Sequence, residues 1–174
     1  MKNKLLRSIA VLLLAAAPAA AQVSITGIGW ELSRVMGKKR SPFEPVSSLR
    51  AASGTPFTDA LRAVVSLNNS SGRPAEGLVL RYALSLRLLK AGEQPDKAFW
   101  AVPFFVEEVR VSKIDPASQR QARVIRFELQ TQLNKLKNSG FEPVALKLEA
   151  MLSPRSGDEP SEIIREAVIE ISKP

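Results

Sequence analysis

The chain contains no cysteine and no histidine. Without histidine it cannot assemble a Ser-His-Asp triad, and without cysteine it has neither a thiol nucleophile nor a thiolate metal ligand. Gly27 and Gly29 are too sparse for a loop that cradles phosphate, and no P-loop lysine follows a glycine run. These absences exclude the commonest catalytic and metal-binding arrangements, and they predict that the protein holds no cofactor and no metal.

Paired carboxylates are the remaining candidates for catalysis. Glu107 and Glu108 are adjacent, so in a strand they point to opposite faces and cannot flank one scissile bond. Asp158 and Glu159 lie in a turn-like segment that lacks the alternating acidic residues of a calcium-binding loop. Because no acid–base or nucleophile–base pair emerges, the sequence predicts that the protein is not an enzyme.

The N-terminus has the layout of a secretory signal peptide. Lys2, Lys4 and Arg7 precede an uncharged, largely apolar run, and small residues stand at Ala19 and Ala21. The run is shorter than the roughly 20 apolar residues of a membrane-spanning anchor, and no cysteine follows it for lipid attachment. We therefore expect residues 1–21 to be removed and residues 22–174 to form one periplasmic or secreted domain, with no transmembrane segment after cleavage.

The formal net charge is +8, and Lys2, Lys4 and Arg7 contribute to it. Basic and acidic residues are interspersed along the rest of the chain, which is typical of a solvated surface, and no nucleic-acid partner is predicted. The run Lys38, Lys39 and Arg40 is a candidate contact for an anionic polymer or lipid head group, or a processing site. A basic loop run is, however, more often simply solvated.

The segment 75–92, AEGLVLRYALSLRLLKAG, predicts a long strand. Its apolar residues fall on every second position, whereas a helix would place arginines within the apolar face. The expected inward residues are Leu78, Leu80, Tyr82, Leu84, Leu86 and Leu88. Period two outweighs the helix propensity of leucine, alanine and arginine here.

The same reasoning predicts about seven strands with polar turns between them. Residues 36–58 show no sustained period and form a long loop, with one short edge strand at 46–49. Residues near Leu133 and Leu136 form a helix of about two turns, and Gly140 supplies a left-handed cap. Several short strands in a domain of this size predict an all-β sandwich, with a lipocalin-like barrel as the alternative.

Two features of this order resemble immunoglobulin-like and fibronectin type III sandwiches of bacterial cell-surface proteins. The first is the turn NNSSGRPAEG between two strands, which is similar to the asparagine-bearing turn of adhesion-related modules. The second is the helical crossover at Leu133–Leu136 before a strong penultimate strand. The resemblance implies an immunoglobulin-like antiparallel β-sandwich of about seven strands, with one short crossover helix and a role in surface interactions.

An aromatic cluster is the main candidate binding site. Phe99, Trp100, Phe104 and Phe105 stand within the segment FWAVPFFV. The favoured interpretation is a strand buried on both faces, with a bulge or sheet crossing at the phase change after Val106. Pro103, which cannot donate to a ladder, instead favours an edge strand that contacts a partner or a neighbouring copy.

The sequence thus predicts an exported, non-enzymatic module with a structural, adhesive or assembly role in the cell envelope. Its expected partner is another envelope or surface protein, or a second copy. The alternative is a carrier that holds a lipid or glycan in a barrel or cleft. A carrier requires Trp30, Tyr82 or Trp100 to line a cavity, whereas an interaction module packs these rings and exposes an edge.

Overall fold

The computed structural model describes residues 23–50, 57–127, 129–136 and 139–172, and of residues 125–127 it describes the backbone alone. The predicted signal peptide, residues 1–21, lies outside the described residues. Of the described residues 59% are in strands and 11% in helices, so the all-β class is confirmed.

The described residues form strands of very different lengths, two short α-helices and one 3₁₀ turn. The strands are β1 Val23–Ser33, β2 Val35–Met36, β3 Lys39–Arg40, β4 Glu44–Pro45, β5 Ser48–Arg50, β6 Ala60–Asn69, β7 Leu78–Lys90, β8 Phe99–Trp100, β9 Phe105–Val111, β10 Ser118–Phe127, β11 Phe141–Leu152 and β12 Ile164–Ser172. The helices are α1 Leu129–Leu136 and α2 Pro160–Ile163, and the 3₁₀ turn is Pro95–Lys97.

The longer strands form two open sheets. One has the order β10-β6-β1-β4, and the other has the order β5-β12-β11-β7-β8, with β9 also paired to β7. Strands β2 and β3 form a separate hairpin, and every pairing between named strands is antiparallel except β12 with β5. In the described part of the chain neither sheet closes on itself, so the lipocalin-like alternative is not formed.

Strand β7 lies at the centre of the hydrophobic core. Its six predicted inward residues are all buried, and they belong to one cluster with residues of both sheets. On β1 the buried positions change parity, from Val23 and Ile25 to Trp30 and Leu32. A register shift against β6 between Ile25 and Gly27 causes this change, because one extra residue lets both halves of the strand face the core.

The predicted helix and the predicted short strand are present with shifted boundaries. The loop prediction for residues 36–58 is wrong in part, because β3 and β4 also lie there, and helix α2 was not predicted. Helix α1 begins at Leu129 and includes Leu133 and Leu136, which both pack against the core, and Gly140 has the expected positive φ of 74°. The short strand expected at 46–49 is β5, which begins two residues later and lies at a sheet edge beside β12.

Candidate functional site

The candidate site is the segment Phe99–Val106, which we term the aromatic edge. It lies beside β7 on the side opposite β11, where β8 and then β9 pair with that strand. Trp100 lies opposite Arg87 and Phe105 lies opposite Leu84, so residues 101–104 match only residues 85–86 and the chain bulges. Pro103 sits in this bulge, as its missing N–H requires, and the predicted edge position is confirmed.

Backbone hydrogen bonds hold both ends of the bulge. The amide of Ala101 donates to the Leu86 carbonyl at 2.9 Å, and the amide of Phe104 donates to the Leu84 carbonyl at 2.9 Å. From Phe105 to Val111 the pairing with β7 then continues without a shift. The bulge expected after Val106 is therefore wrong, since the irregularity lies before Phe105.

The apolar side chains of the aromatic edge are exposed. Val102 is 83% exposed, Val106 is 60% exposed, and Phe99, Trp100 and Phe105 are between 38% and 48% exposed. Burial on both faces, the favoured interpretation of the sequence, is therefore wrong. Phe105 illustrates the reason. It lies opposite the fully buried Leu84, but among the described strands none lies beyond β9 on that side of the sheet.

Ring contacts hold these side chains on the sheet. Phe99 meets Phe141 edge-on, with ring centroids 5.8 Å apart, and Phe105 lies 6.0 Å from the Tyr82 ring. Phe104 is half-buried against the core. Trp100 lies beneath a cation, because Lys147 Nζ is 5.1 Å from its ring centroid. The structure thus brings together the four predicted aromatic residues, with Phe104 less accessible than the others.

Charged residues continue the edge along β9. Glu107 and Glu108 point to opposite faces, as expected: Glu107 accepts a hydrogen bond from the Tyr82 hydroxyl, and Glu108 Oε1 lies 2.8 Å from Arg81 Nε. Burial raises the pKa of Tyr82 well above its usual range, and the hydrogen bond to Glu107 and its negative charge add to the effect. Glu107 thereby joins the core to the exposed edge.

A shallow groove of about 260 Å³ adjoins the edge on the outer face of the six-stranded sheet. Ala83, Val106, Met151 and Ile164 contribute to its lining. Of the three rings that a carrier would use, Trp30 is buried in the core and Trp100 lies beneath Lys147, whereas Tyr82 borders the groove.

The basic run lies on the β2–β3 hairpin, away from the aromatic edge in the fold topology. Arg40 already binds backbone, because its guanidinium donates to the carbonyls of Thr58 at 3.0 Å and Ser33 at 3.5 Å. Lys38 and Lys39 are exposed. Anion contact by this run stays a prediction, and it depends mainly on the two lysines.

Sequence reasoning missed the importance of Asn69. This residue is fully buried, and its side-chain amide donates to the carbonyls of Arg73, Ile114 and Asp115 at 2.8–3.2 Å. Its side-chain oxygen accepts from the amide and hydroxyl of Ser71. We term Asn69 with the turns 70–73 and 114–117 the Asn69 corner. The turn-forming residues of NNSSGRPAEG predict a turn in this region. Asn68 and Asn69 are adjacent in it, so the sequence does not show which of the two is buried.

No protein-family model and no curated protein matches the chain. None of the described helices is long and apolar enough to cross a membrane. Within the ranges that the structure describes, no cluster of three or more acidic side chains is arranged to hold a metal ion. The geometry of the aromatic edge therefore carries the functional inference.

Proposed function

We propose that the chain is an exported, non-enzymatic protein that binds another envelope or surface protein, or a second copy of itself, through its aromatic edge, in a structural, adhesive or assembly role. The observation that carries this proposal is the exposure of Phe99, Trp100, Val102, Phe105 and Val106 along one sheet edge. In the described part of the chain no strand pairs with the far side of β9. An apolar edge of this kind accepts a partner's strand by backbone hydrogen bonds and side-chain packing.

An immunoglobulin-like sandwich is the fold that we propose for this role. Among the seven long strands, the first, second and fifth (β1, β6 and β10) share one sheet. The third, sixth and seventh (β7, β11 and β12) share the other. This division is the one found in immunoglobulin-like sandwiches, and the fourth strand, β9, is added beside the third.

Charges beside the aromatic edge favour a specific partner over general aggregation. Glu107, Glu108 and Arg110 are exposed on β9, and charged residues on an edge strand oppose pairing with arbitrary apolar strands. The bulge around Pro103 further limits which strands fit. A partner must therefore match both the apolar residues and the charges.

The carrier alternative has weaker support. The groove of about 260 Å³ is smaller than the roughly 300–1,000 Å³ of typical small-molecule sites. Tryptophan fluorescence titrated with lipids and glycans tests it, since Trp100 is exposed near the groove side of the sheet. A saturable quench would favour the carrier over the interaction module.

Site-specific photo-cross-linking in the native cell envelope tests the proposal. The photoreactive residue is placed at Val106 or, as the matched control, at Val168, an exposed valine of the same sheet that lies on β12. We expect a discrete protein adduct from Val106, its loss in the Phe105→Asp variant, and none from Val168. Equal adducts from both positions would exclude the edge as the binding surface.

Export is tested separately by cell fractionation and intact mass. We expect the protein in the periplasm or medium, with Gln22 as its first residue. A cytoplasmic protein that retains residues 1–21 would overturn export without affecting the edge.

A further inference from the structure

We infer that β9 pairs antiparallel with β9 of a second copy of this chain, across a two-fold axis at Val109. The inference rests on the proposed function, because β9 continues the aromatic edge. It names a second copy as the partner of residues 107–111, and Phe99–Val106 lie beside this pairing. Its basis is the order of charges along the strand FVEEVRV, residues 105–111.

Charge repulsion disfavours the competing registers. A two-fold axis perpendicular to the sheet passes through one residue, which then faces itself in the second copy. Axes at Glu107, Glu108 or Arg110 each place two like charges directly opposite, which destabilises a strand pair. Axes nearer the strand ends overlap no more than three residues of β9.

The axis at Val109 produces the opposite result. It places Glu108 of each copy opposite Arg110 of the other copy, so that two complementary charge pairs form by symmetry. Opposite charges that face each other across an antiparallel strand pair stabilise it. Val109 faces its own counterpart, which is an apolar pair on the other face of the strand.

One chain alone already places a positive charge beside Glu108 on the outer face of the sheet. Arg81 lies beside Glu108 on the neighbouring strand, and the Glu108 side chain remains 51% exposed. Arg110 is exposed and lies opposite Val79, and it makes no ion pair with any residue that the structure describes. In the pair of copies, Glu108 would lie between Arg81 of its own chain and Arg110 of the second copy.

The contact is small, so the association is expected to be reversible. With the axis at Val109, residues 107–111 of each copy overlap, and five residues at about 3.4 Å each span roughly 17 Å of strand. One strand pair of this length buries less than the roughly 800 Å² per partner of a standard stable interface. Covalent trapping therefore tests the pairing better than the mass of the free protein.

The absence of cysteine makes trapping specific, because one introduced cysteine can form a disulfide only between copies. In Val109→Cys the two thiols face each other across the axis, with Cβ atoms about 4.5–5.5 Å apart, near the separation that a disulfide requires. In Glu107→Cys, the matched control on the same face, they are separated by about four residues along the strands. We expect the purified Val109→Cys protein to form the disulfide at least about tenfold faster.

A mixing experiment tests the register through exposed positions that do not affect the core. Glu108→Cys and Arg110→Cys proteins are oxidised separately and together. We expect a disulfide-linked dimer in the mixture and little in either protein alone. A mixture that forms no more disulfide-linked dimer than the two proteins oxidised separately would overturn the axis at Val109.

The contribution of the Glu108–Arg110 pairs between copies is tested in the Val109→Cys protein. Arg110→Glu places like charges opposite Glu108 and should slow trapping several-fold, whereas Arg110→Lys keeps the sign and should not. Equal trapping of Val109→Cys and Glu107→Cys, or no trapping while circular dichroism shows a folded protein, would overturn self-pairing. The proposed function would survive that result if Val106 still cross-links to a different protein.

Discussion

The Asn69 corner and the aromatic edge show opposite departures from the usual distribution of polar and apolar side chains. At the corner, an amide side chain is fully buried. Along the edge, five large apolar side chains are at least 38% exposed. The hydrophobic effect alone would reverse both placements.

The difference lies in whether each region has partners within the chain. Asn69 reaches three carbonyls and Ser71, so its desolvation is compensated by hydrogen bonds. In the described part of the chain, β9 pairs on one side only, and its residues Phe105 and Val106 lie where no further strand covers them. The corner is therefore a closed structural unit, whereas the edge remains open to another molecule.

The largest expected effect is that of Asn69→Ala on stability. The substitution leaves the carbonyls of Arg73, Ile114 and Asp115 without their shared donor. We expect the free energy of unfolding to fall by about 3 kcal/mol, since the two N–H donors and the oxygen of this amide each lose a hydrogen bond worth about 1 kcal/mol. Urea denaturation measures the loss, with Asn68→Ala as the control that changes it by less than about 0.5 kcal/mol. Equal losses in both variants would contradict the distinction between the two asparagines.

Tyr82 connects the core to the edge, and its titration should destabilise the protein in alkali. Burial and Glu107 raise the pKa of Tyr82 in the folded state, so above about pH 10 the unfolded chain loses this proton first. The free energy of unfolding should then fall by about 1.4 kcal/mol per pH unit, whereas below pH 10 the contribution is fully present.

The measurement is urea denaturation at several alkaline pH values, compared with Tyr82→Phe. Tyr82→Phe has no phenolic proton in the folded or the unfolded state, so its free energy of unfolding should fall less steeply with pH. Because the chain has a single tyrosine, phenolate absorbance reports Tyr82 alone. A phenolate that forms at the usual pH while the protein is folded would show that the hydroxyl is not protected.

A smaller effect on stability is expected at the aromatic edge. Phe105→Ser removes a ring that is already 38% exposed, and we expect a loss of about 1 kcal/mol, against about 3 kcal/mol for Leu84→Ala directly opposite. The same Phe105→Ser protein should lose most cross-linking from Val106. A large loss of stability together with unchanged cross-linking would show that Phe105 belongs to the core.

These two regions also show which features can be predicted from the sequence. The buried face of β7 was predicted because alternation within one strand is a local property. The parity change on β1 depends on pairing with β6, and the neighbourhood of Ile25 does not reveal it. The prediction that the aromatic edge is buried is wrong because burial depends on which other strands pack against it. The apolar run itself does not specify those strands. Pro103 carried the correct local signal, since a missing N–H restricts a strand wherever it lies.

The smallest expected effect lies within the Asn69 corner, at Ala117. Its φ of 48° is in the left-handed region, and its amide donates to the Ser71 carbonyl at 3.1 Å. A side chain in this conformation costs roughly 1–2 kcal/mol, while glycine adds about 0.4–1 kcal/mol of unfolded-state entropy. Ala117→Gly should therefore stabilise the protein by about 0.5 kcal/mol, measured from the urea midpoint.

The reverse change at a comparable turn is the control for Ala117→Gly. Gly92 has a φ of 85°, so Gly92→Ala introduces the same strain and gains the same entropy term, and it should destabilise by about 0.5 kcal/mol. If Ala117→Gly instead lowers stability, the Ala117 side chain contributes packing that its exposure does not suggest. The corner would then be held by apolar contact as well as by hydrogen bonds, and its contrast with the aromatic edge would be weaker.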